Sequence, residues 1–220
     1  MGARATFQRA RRPDQKAERR AAIVRAAAAI LEESGLEGVS LNAVARRAAI
    51  TKSNVYRYFE SREAILLELL IADEARWVER LERALAGLRR KGDPRSVGRV
   101  LAKTIAGEPR LCALVAILFP VLEKNLSEGA LLDFKLAARP LGMRVAEAIG
   151  KALPALPPRT WAPLQRYLHA VIAGLYPIAH PVPAVAAVLA RPELADGRSD
   201  FREDLEGLLG ALLSGLVEKG

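Results

Sequence analysis

The side chains best suited to bind another molecule are concentrated in one short stretch, TKSNVYRYFESR at residues 51–62. Hydroxyl, amide, phenol and cationic groups follow one another there, although aromatic residues make up only 5% of the chain. Such groups can bind phosphate oxygens and the edges of nucleic-acid bases. The stretch therefore indicates either a nucleic-acid surface or a sealed corner between two helices. The candidate binding residues within it are Thr51, Lys52, Ser53, Asn54, Tyr56, Arg57, Tyr58 and Arg62.

Residues that could support catalysis or hold a metal are scarce. The chain has one cysteine, Cys112, and two histidines, His169 and His180. Neither a nucleophile–base pair nor a metal-ligand spacing is evident, and a single cysteine excludes an internal disulfide. The sequence therefore predicts no enzymatic activity, no metal and no cofactor.

Positive charge is concentrated near the N-terminus. Residues 1–62 contain 13 Lys and Arg against 6 Asp and Glu, a net charge of +7, whereas residues 63–220 contain 21 against 19, a net charge of +2. This asymmetry favours a polyanionic partner, because each phosphate that is neutralised releases counterions. The stretch RATFQRARRPDQKAERR at residues 4–20, taken alone, fits a solubilising tail as well as a nucleic-acid arm.

The apolar segments are too short for a membrane span, which needs about 18 residues. The best candidate, LCALVAILFPVL at residues 111–122, has 12 residues and contains Pro120. Arg25 interrupts the apolar residues that follow the basic N-terminus, so no secretory signal is predicted. We expect a cytoplasmic protein with no membrane partner.

Helical patterns extend over the whole chain, and no run alternates with a period of two. Twelve of the 13 prolines lie at Pro94 or later, so residues 14–93 lack helix breakers. A first helix is predicted from about Asp14 to Ser34, with Gly35 as its terminating left-handed residue. A long helix is predicted from the N-cap Ser61 to about Lys91. The fold class is therefore all-α, with two differently built parts.

Two short helices are predicted between these longer ones. Ser40 and Thr51 are placed as N-caps, and each follows an apolar residue that can form a hydrophobic staple with the helix. The caps and the three-residue turn AIT at residues 49–51 predict a helix-turn-helix. Val55 and Phe59 lie four apart and face inward, which leaves the polar side chains of the second helix on its outer side.

The stretch VSLNAVARRAAITKSNVYRYFESREAILLELL resembles the DNA-binding signature of the TetR family of bacterial transcription regulators. The resemblance covers residues 16–70 and includes the caps, the Val44–Ala45 pair and the Tyr-x-x-Phe spacing. It implies that Thr51, Lys52, Asn54 and Arg57 face the major groove and that Tyr56 and Tyr58 bind phosphates. Ser40 and Arg62 would make further contacts to the DNA backbone.

The sequence departs from the family pattern at two places. Ala49 occupies a position where a turn glycine is common, so a corner that needs a positive φ would be strained there. Asn42 and Ala43 stand where basic and acidic residues are common, which affects details of the groove contact.

The C-terminal part is predicted to be a bundle of proline-punctuated helices at 95–106, 109–125, 128–152, 159–178, 184–190 and 200–218. Pro120 and Pro140 fall inside helices, where kinks are expected. By the resemblance, this part binds a small molecule and dimerises. Each candidate pocket residue, taken singly, is better interpreted as ordinary core; the candidates are Trp77, Cys112, Phe119, Asn125, Phe134, Tyr167, His169 and Tyr176.

Two C-terminal helices carry leucine-rich stripes that could pair between two copies of the chain. The same stripes could instead close the core of a single chain. The candidate interface residues are Leu164, Leu168, Val171, Leu175, Leu205, Leu208, Leu209, Leu212 and Leu216.

The predicted organisation is a flexible basic arm at 1–13, a three-helix helix-turn-helix DNA-binding domain at 14–62, and a larger ligand-binding and dimerisation bundle at 63–220. The predicted function is a homodimeric regulator that binds a double-stranded DNA operator, most simply a repressor released by a small-molecule effector. The alternative is a non-specific architectural DNA-binding protein, which explains the charge but not the large, nearly neutral C-terminal part.

Overall fold

The computed structural model describes residues 4–89 and 92–218, in which no β-strand occurs. The α-helices are α1 (Arg4–Gly38), α2 (Leu41–Arg47), α3 (Lys52–Tyr56), α4 (Arg62–Ala86), α5 (Pro94–Ala106), α6 (Pro109–Ile117), α7 (Glu128–Ala152), α8 (Trp161–Ala179), α9 (Pro183–Leu189) and α10 (Phe201–Glu218). A π-helical segment, Leu118–Leu122, follows α6, and short 3-10 segments lie at Glu123–Asn125, Pro158–Thr160 and Pro192–Gly197.

The chain divides into two compact units. The first unit contains the chain up to Leu69 together with Val121–Leu131, and the second contains Leu70–Pro120 and the chain from Leu132 onwards. The predicted boundary at residue 62 therefore lies seven residues before the observed one, and residues 121–131 were assigned to the C-terminal part. Both α4 and α7 begin in the first unit and end in the second.

Helix ends in the first unit differ from the predicted ones in two respects. α1 begins at Arg4, so helix extends into most of the segment predicted as a flexible arm, and residues 1–3 of that segment lie outside the described residues. Gly35 adopts φ 67°, as predicted for a left-handed residue at that position. α4 ends at Ala86, before the predicted Lys91, which also lies outside the described residues.

The core of the first unit contains apolar side chains from α1, α2, α3, α4 and the segments that connect them. α1 and α2 contact each other, as do α2 and α3. The side chains at its centre are fully buried or nearly so: Ile23, Ala27, Val39, Val44, Val55, Phe59, Ile65 and Leu69. Burial of apolar surface at these positions fixes the orientation of the short helices α2 and α3 within the unit.

The second unit is built on two close helix pairs, α5 with α10 and α6 with α8. Gly98 of α5 allows the first pair, because a Cβ atom there would lie 2.8 Å from the backbone nitrogen of Gly210. The helices were predicted close to their observed bounds, except that α6 gives way to the π-helical segment around Pro120. α7 continues through Pro140 as one helix.

Polar contacts connect α4 to its neighbours in the second unit. Asp73 is 1% exposed, and its two carboxylate oxygens accept hydrogen bonds from Arg110 Nε and Nη2 at 2.7 and 2.8 Å. The Arg144 guanidinium of α7 makes a paired contact with Glu82 at 2.9 and 2.7 Å. Among the helices that the structure describes, no single one combines the length and the apolar composition needed to cross a membrane.

Candidate nucleic-acid interface

Three side-chain caps hold the helices of the first unit. Ser40 Oγ accepts a hydrogen bond from the Ala43 amide at 3.2 Å, and Thr51 Oγ1 accepts one from the Asn54 amide at 3.3 Å. Ser61 Oγ accepts from the Ala64 amide at 3.1 Å, which caps α4. These contacts confirm the predicted caps. They fix the starts of α2, α3 and α4 by satisfying amides that a helix cannot pair internally.

The turn between α2 and α3 contains the one non-glycine residue with positive φ among the described residues, Ala49 at φ 54°. The Ile50 amide donates to the Ala45 carbonyl at 3.0 Å, which closes the corner. The corner therefore does require a left-handed residue, and alanine adopts that conformation at a cost of about 1 kcal/mol. This confirms the expected strain.

The two faces of α3 are clearly separated. Val55 is fully buried and Phe59, just after the helix, is 3% exposed, whereas Tyr56 is 52% exposed. The predicted contact residues Thr51, Lys52, Ser53, Asn54 and Arg57 are all exposed on the same short segment. The buried pair thus anchors a helix whose hydroxyl, amide and cationic groups point to solvent.

Several of these exposed groups already interact with one another. The hydroxyl groups of Thr51 and Ser53 lie 3.0 Å apart, and Lys52 Nζ lies 5.9 Å from the centre of the Tyr56 ring. A cation above an aromatic face is attracted to it but remains accessible to a phosphate. The face is therefore polar, positive and partly organised before any partner binds.

Arg20 of α1 completes the site, and sequence reasoning missed its role. Its Nη1 donates to the carbonyl of Tyr58 at 2.8 Å, and its guanidinium carbon lies 4.2 Å from the centre of the Phe59 ring. Arg20 also forms an ion pair with Glu68 of α4. It connects α1, the end of the recognition segment and α4. Nothing local to residues 51–62 could have revealed a partner 38 positions earlier in the chain.

Two predicted contact residues, Tyr58 and Arg62, are less exposed than expected and have partners within the chain. Tyr58 is half-buried, and its carbonyl is occupied by Arg20. Arg62 is also half-buried; its Nε donates to Glu63 at 2.8 Å and its Nη1 lies 3.4 Å from the Val39 carbonyl. Arg62 therefore links the start of α4 to the residue before the α2 cap.

The outer surface of the first unit carries further charge. Arg47 of α2 pairs with Glu33 of α1, and this contact holds the pKa of the Glu33 carboxyl below its ordinary value. Among the side chains that the structure describes, from residue 15 onwards, further exposed cations on α1 and α2 are Lys16, Arg19, Arg25 and Arg46. They extend the positive surface beyond α3, which suits the sequence-independent attraction to phosphates.

The predicted ligand residues do not form one group. Trp77, Cys112 and Phe134 are core side chains, with exposures of 6%, 0% and 7%. The Trp77 indole donates to Thr104 Oγ1 at 3.2 Å, and burial raises the pKa of the Cys112 thiol to about 12. Asn125 is exposed and belongs to the first unit, whereas the other seven candidates belong to the second.

The other four predicted ligand residues lie nearer the surface of the second unit. Phe119 is 51% exposed and packs edge-on against the His169 ring at 6.3 Å, and Tyr167 is 43% exposed. Tyr176 stacks on His180 with ring centres 4.2 Å apart. Tyr176 lines a cavity of about 370 Å³ in this unit, and a further cavity of about 330 Å³ is lined by none of the eight candidates.

Glu74 of α4 is a titratable group that the sequence analysis did not select. It is partly buried, and burial raises the pKa of its carboxyl to about 7. A carboxyl group that titrates near neutrality in the second unit is a candidate functional group. The residue type and its position on an apolar helix face are not distinctive enough to have signalled it.

Four of the nine residues predicted for a dimer interface are buried within a single chain. Leu164, Leu168, Leu205 and Leu209 have exposures of 1%, 6%, 0% and 0% within a single chain, because α8 and α10 pack on each other and on α6 and α5. Leu208 is 47% exposed. The partly exposed candidates are Val171, Leu175, Leu212 and Leu216.

Two capped short helices, a tight corner and an exposed polar face define a helix-turn-helix protein. A family model described as "Bacterial regulatory proteins, tetR family" matches residues 23–69, and one described as "Tetracyclin repressor-like, C-terminal domain" matches residues 72–220. The chain therefore belongs to the tetR family and is a transcriptional regulator. This confirms the resemblance and the all-α fold class predicted from the sequence.

Solved structures share the fold. A transcriptional regulator from Streptomyces coelicolor is 16% identical, with a TM-score of 0.54 and coverage of 89% of this chain and 98% of that one. The fatty acid degradation regulator FadR from Bacillus halodurans is 16% identical, with a TM-score of 0.52 and coverage of 86% and 96%. A transcriptional regulator from a Rhodococcus species is 20% identical, with a TM-score of 0.52 and coverage of 89% and 96%. No curated protein matches the chain.

Proposed function

We propose that this protein is a homodimeric repressor that binds a double-stranded DNA operator through α3 and is released by a small-molecule effector bound in the second unit. The observation that carries the proposal is the exposed set around Tyr56, which the buried Val55 and Phe59 anchor from the opposite side. The proposal also places the protein in the cytoplasm with its DNA.

Base reading is assigned to Arg57 and phosphate contact to Tyr56. Arg57→Ala removes a group that can bind a base edge, so we expect sequence discrimination to fall by about 1–3 kcal/mol. Tyr56→Phe removes one hydroxyl, so binding to all sequences should weaken by about 1 kcal/mol.

The experiment is a titration of the full chain with its own promoter DNA and with random duplexes, over a range of salt concentrations. Arg139→Ala, which removes an exposed cation of α7, is the matched control and should leave the preference for promoter DNA unchanged. Wild-type protein that shows only a smooth salt-dependent background on all sequences would favour the architectural alternative and refute the operator proposal.

Dimerisation is assigned to the exposed parts of α8 and α10. Leu208, Tyr167 and Ile178 are 47%, 43% and 59% exposed, and exposed apolar side chains on adjacent helices suit a four-helix interface. Leu208→Glu should therefore yield monomers in sedimentation analysis. Leu132→Glu is the matched control, because Leu132 is 58% exposed but lies on α7. Equal behaviour of the two variants would contradict the assignment.

The effector site is assigned to the second unit, which contains two cavities and the partly buried Glu74. A cavity of a few hundred cubic ångströms is within the usual range for a small ligand. The test is native mass spectrometry of purified protein, followed by titration of any co-purifying molecule into the promoter complex. A bound molecule that leaves DNA binding unchanged would contradict an effector role.

A further inference from the structure

Glu60 and Ser127 form a contact that joins distant parts of the sequence within the first unit. The Ser127 amide donates to Glu60 Oε1 at 2.8 Å, and the Ser127 hydroxyl donates to Oε2 at 2.7 Å. The residues are 67 positions apart. A carboxylate that accepts two hydrogen bonds from one residue is held in position as well as in orientation. We call this pair the Glu60–Ser127 clasp.

The clasp has a well-defined place on the DNA-binding side. Glu60 directly follows the buried Phe59 and precedes Ser61, the cap of α4. It therefore lies at the corner where the recognition segment ends and α4 begins. The hydrogen bonds from Ser127 hold the pKa of the Glu60 carboxyl below its ordinary value, so the group is a carboxylate at neutral pH.

On its other side, the clasp involves the start of α7. Ser127 Oγ accepts a hydrogen bond from the Ala130 amide at 3.2 Å, and the Ser127 carbonyl accepts one from the Leu131 amide at 3.0 Å. A hydroxyl group can donate one hydrogen bond and accept others, so Ser127 can cap α7 and hold Glu60 at the same time. α7 continues into the second unit, where Phe134 and Leu141 are core residues.

We propose that Ser127 and Glu60 are positioning residues for DNA binding: the clasp fixes the corner after α3, and its loss lowers the affinity for the operator. The proposal rests on the DNA-binding function proposed above. Neither residue need touch DNA. Residues 121–131 then support the DNA-binding surface from behind the contact, although they follow it by about sixty positions in the chain.

The direction of the change in DNA affinity distinguishes this proposal from a purely electrostatic effect of the Glu60 charge. Removing the negative charge of Glu60 should by itself strengthen binding to DNA, because the protein then repels phosphates less. Loss of the clasp should weaken binding. Glu37→Ala is the matched control, since Glu37 is an exposed glutamate of the same unit and its removal changes the charge equally.

The experiment measures the affinity of full-length variants for promoter and random DNA at a temperature well below unfolding. We expect Glu60→Ala to weaken promoter binding about threefold, because both groups are exposed and water competes for their hydrogen bonds, and Glu60→Gln, which keeps an acceptor oxygen, to weaken it less. Glu37→Ala should bind as tightly as wild type or slightly more tightly.

Ser127→Asp tests the other half of the clasp. Aspartate still accepts the Ala130 amide as a helix cap but repels the Glu60 carboxylate. We expect it to weaken promoter binding more than Glu60→Ala does, because it also adds a negative charge that repels phosphates. The double variant has the net charge of wild type, so its affinity should lie between those of the two single variants.

The outcomes distinguish the two proposals. Wild-type protein without sequence-selective binding would overturn the operator proposal and the clasp with it. Selective binding by wild type, together with a Glu60→Ala variant that binds like Glu37→Ala, would overturn the clasp alone. A lower melting temperature with unchanged promoter affinity would also overturn it, because it would show a merely structural contact.

Discussion

The two units of this regulator are stabilised by interactions of different range. In the first unit, Ser40, Thr51 and Ser61 cap three successive helices with contacts three residues away. In the second unit, α6, α8 and α9 begin without a side-chain cap. Asp93 and Asp200 cap α5 and α10 of this unit, whereas the uncapped α6 is held by a contact between residues far apart in the sequence, Asp73 with Arg110.

This difference explains why the function of the first unit can be predicted from the sequence, whereas the ligand site of the second unit cannot. A cap, a staple and a three-residue turn fix the orientation of a helix from within a dozen residues, so the exposed side of α3 follows from the sequence. Helix packing across α5 and α10 depends on residues more than a hundred positions apart. The shape of a cavity between such helices is therefore set by the whole unit.

Among the variants that test this contrast, Asp73→Ala should cause the largest loss of stability. It removes a buried carboxylate that pairs with Arg110, so we expect the free energy of unfolding to fall by about 3 kcal/mol. Glu147→Ala in the same unit breaks the exposed pair with Lys151 and should cost less than about 1 kcal/mol. Urea denaturation measures both. Similar losses for the two variants would contradict the importance of the buried pair.

The next effect is a pH dependence of stability due to Glu74. Burial raises its pKa in the folded chain to about 7, above the ordinary value of 4.5, so the folded state binds the proton more tightly than the unfolded state. The contribution is therefore fully present below about pH 4.5 and is lost as the pH rises to about 7, by at most about 3 kcal/mol.

Glu74→Gln should abolish this decline, because the amide does not titrate. The measurement is the difference in unfolding free energy between wild type and variant at several values of pH, so that other groups cancel. A difference that stays constant from pH 4.5 to 7 would show that Glu74 has an ordinary pKa.

A smaller effect is expected at the contact between α5 and α10. A Cβ atom at Gly98 would lie 2.8 Å from the Gly210 nitrogen, a backbone atom that cannot turn aside, so Gly98→Ala should cost about 2 kcal/mol. Gly207→Ala is the matched control on α10, where no atom lies within 4 Å. It should stabilise the helix by about 0.5 kcal/mol. Thermal unfolding of both variants would show opposite shifts.

The smallest predicted effect is an increase in the stability of the first unit. Ala49→Gly relieves a left-handed alanine at φ 54°, so it should stabilise the unit by about 1 kcal/mol. Ala48→Gly, next to it at φ −81°, is the control and should destabilise slightly. Hydrogen exchange of α2 and α3 amides reports the change locally. Destabilisation by both variants would mean that Ala49 is not strained.

Much of the fold could be predicted from the sequence because its signals are local. The capped starts of α2, α3 and α4 and the bounds of α5 and α7 follow from cap residues, prolines and apolar periodicity. The positive φ at Ala49 agrees with the family resemblance, in which a turn glycine is common at that position. The buried Val55 and Phe59 followed from helical spacing.

The remaining features depend on contacts that no local pattern contains. The role of Arg20 requires a partner 38 positions away, and the position of Asn125 in the first unit requires the return of the chain at residue 121. A leucine stripe looks the same whether it faces its own core or a second copy. Leu205 and Leu209 were therefore indistinguishable from Leu208 until the packing of α10 on α5 was known.

The return of residues 121–131 to the first unit has a consequence for chimeric regulators. The family match for the DNA-binding part ends at residue 69, and a transplant cut there would contain every residue of α2 and α3. In such a chimera, Glu60 would nevertheless lack its partner Ser127, because a loop of the recipient protein would replace residues 121–131. A chimera that keeps the donor's specificity should therefore carry the donor's residues 121–131 as a second graft.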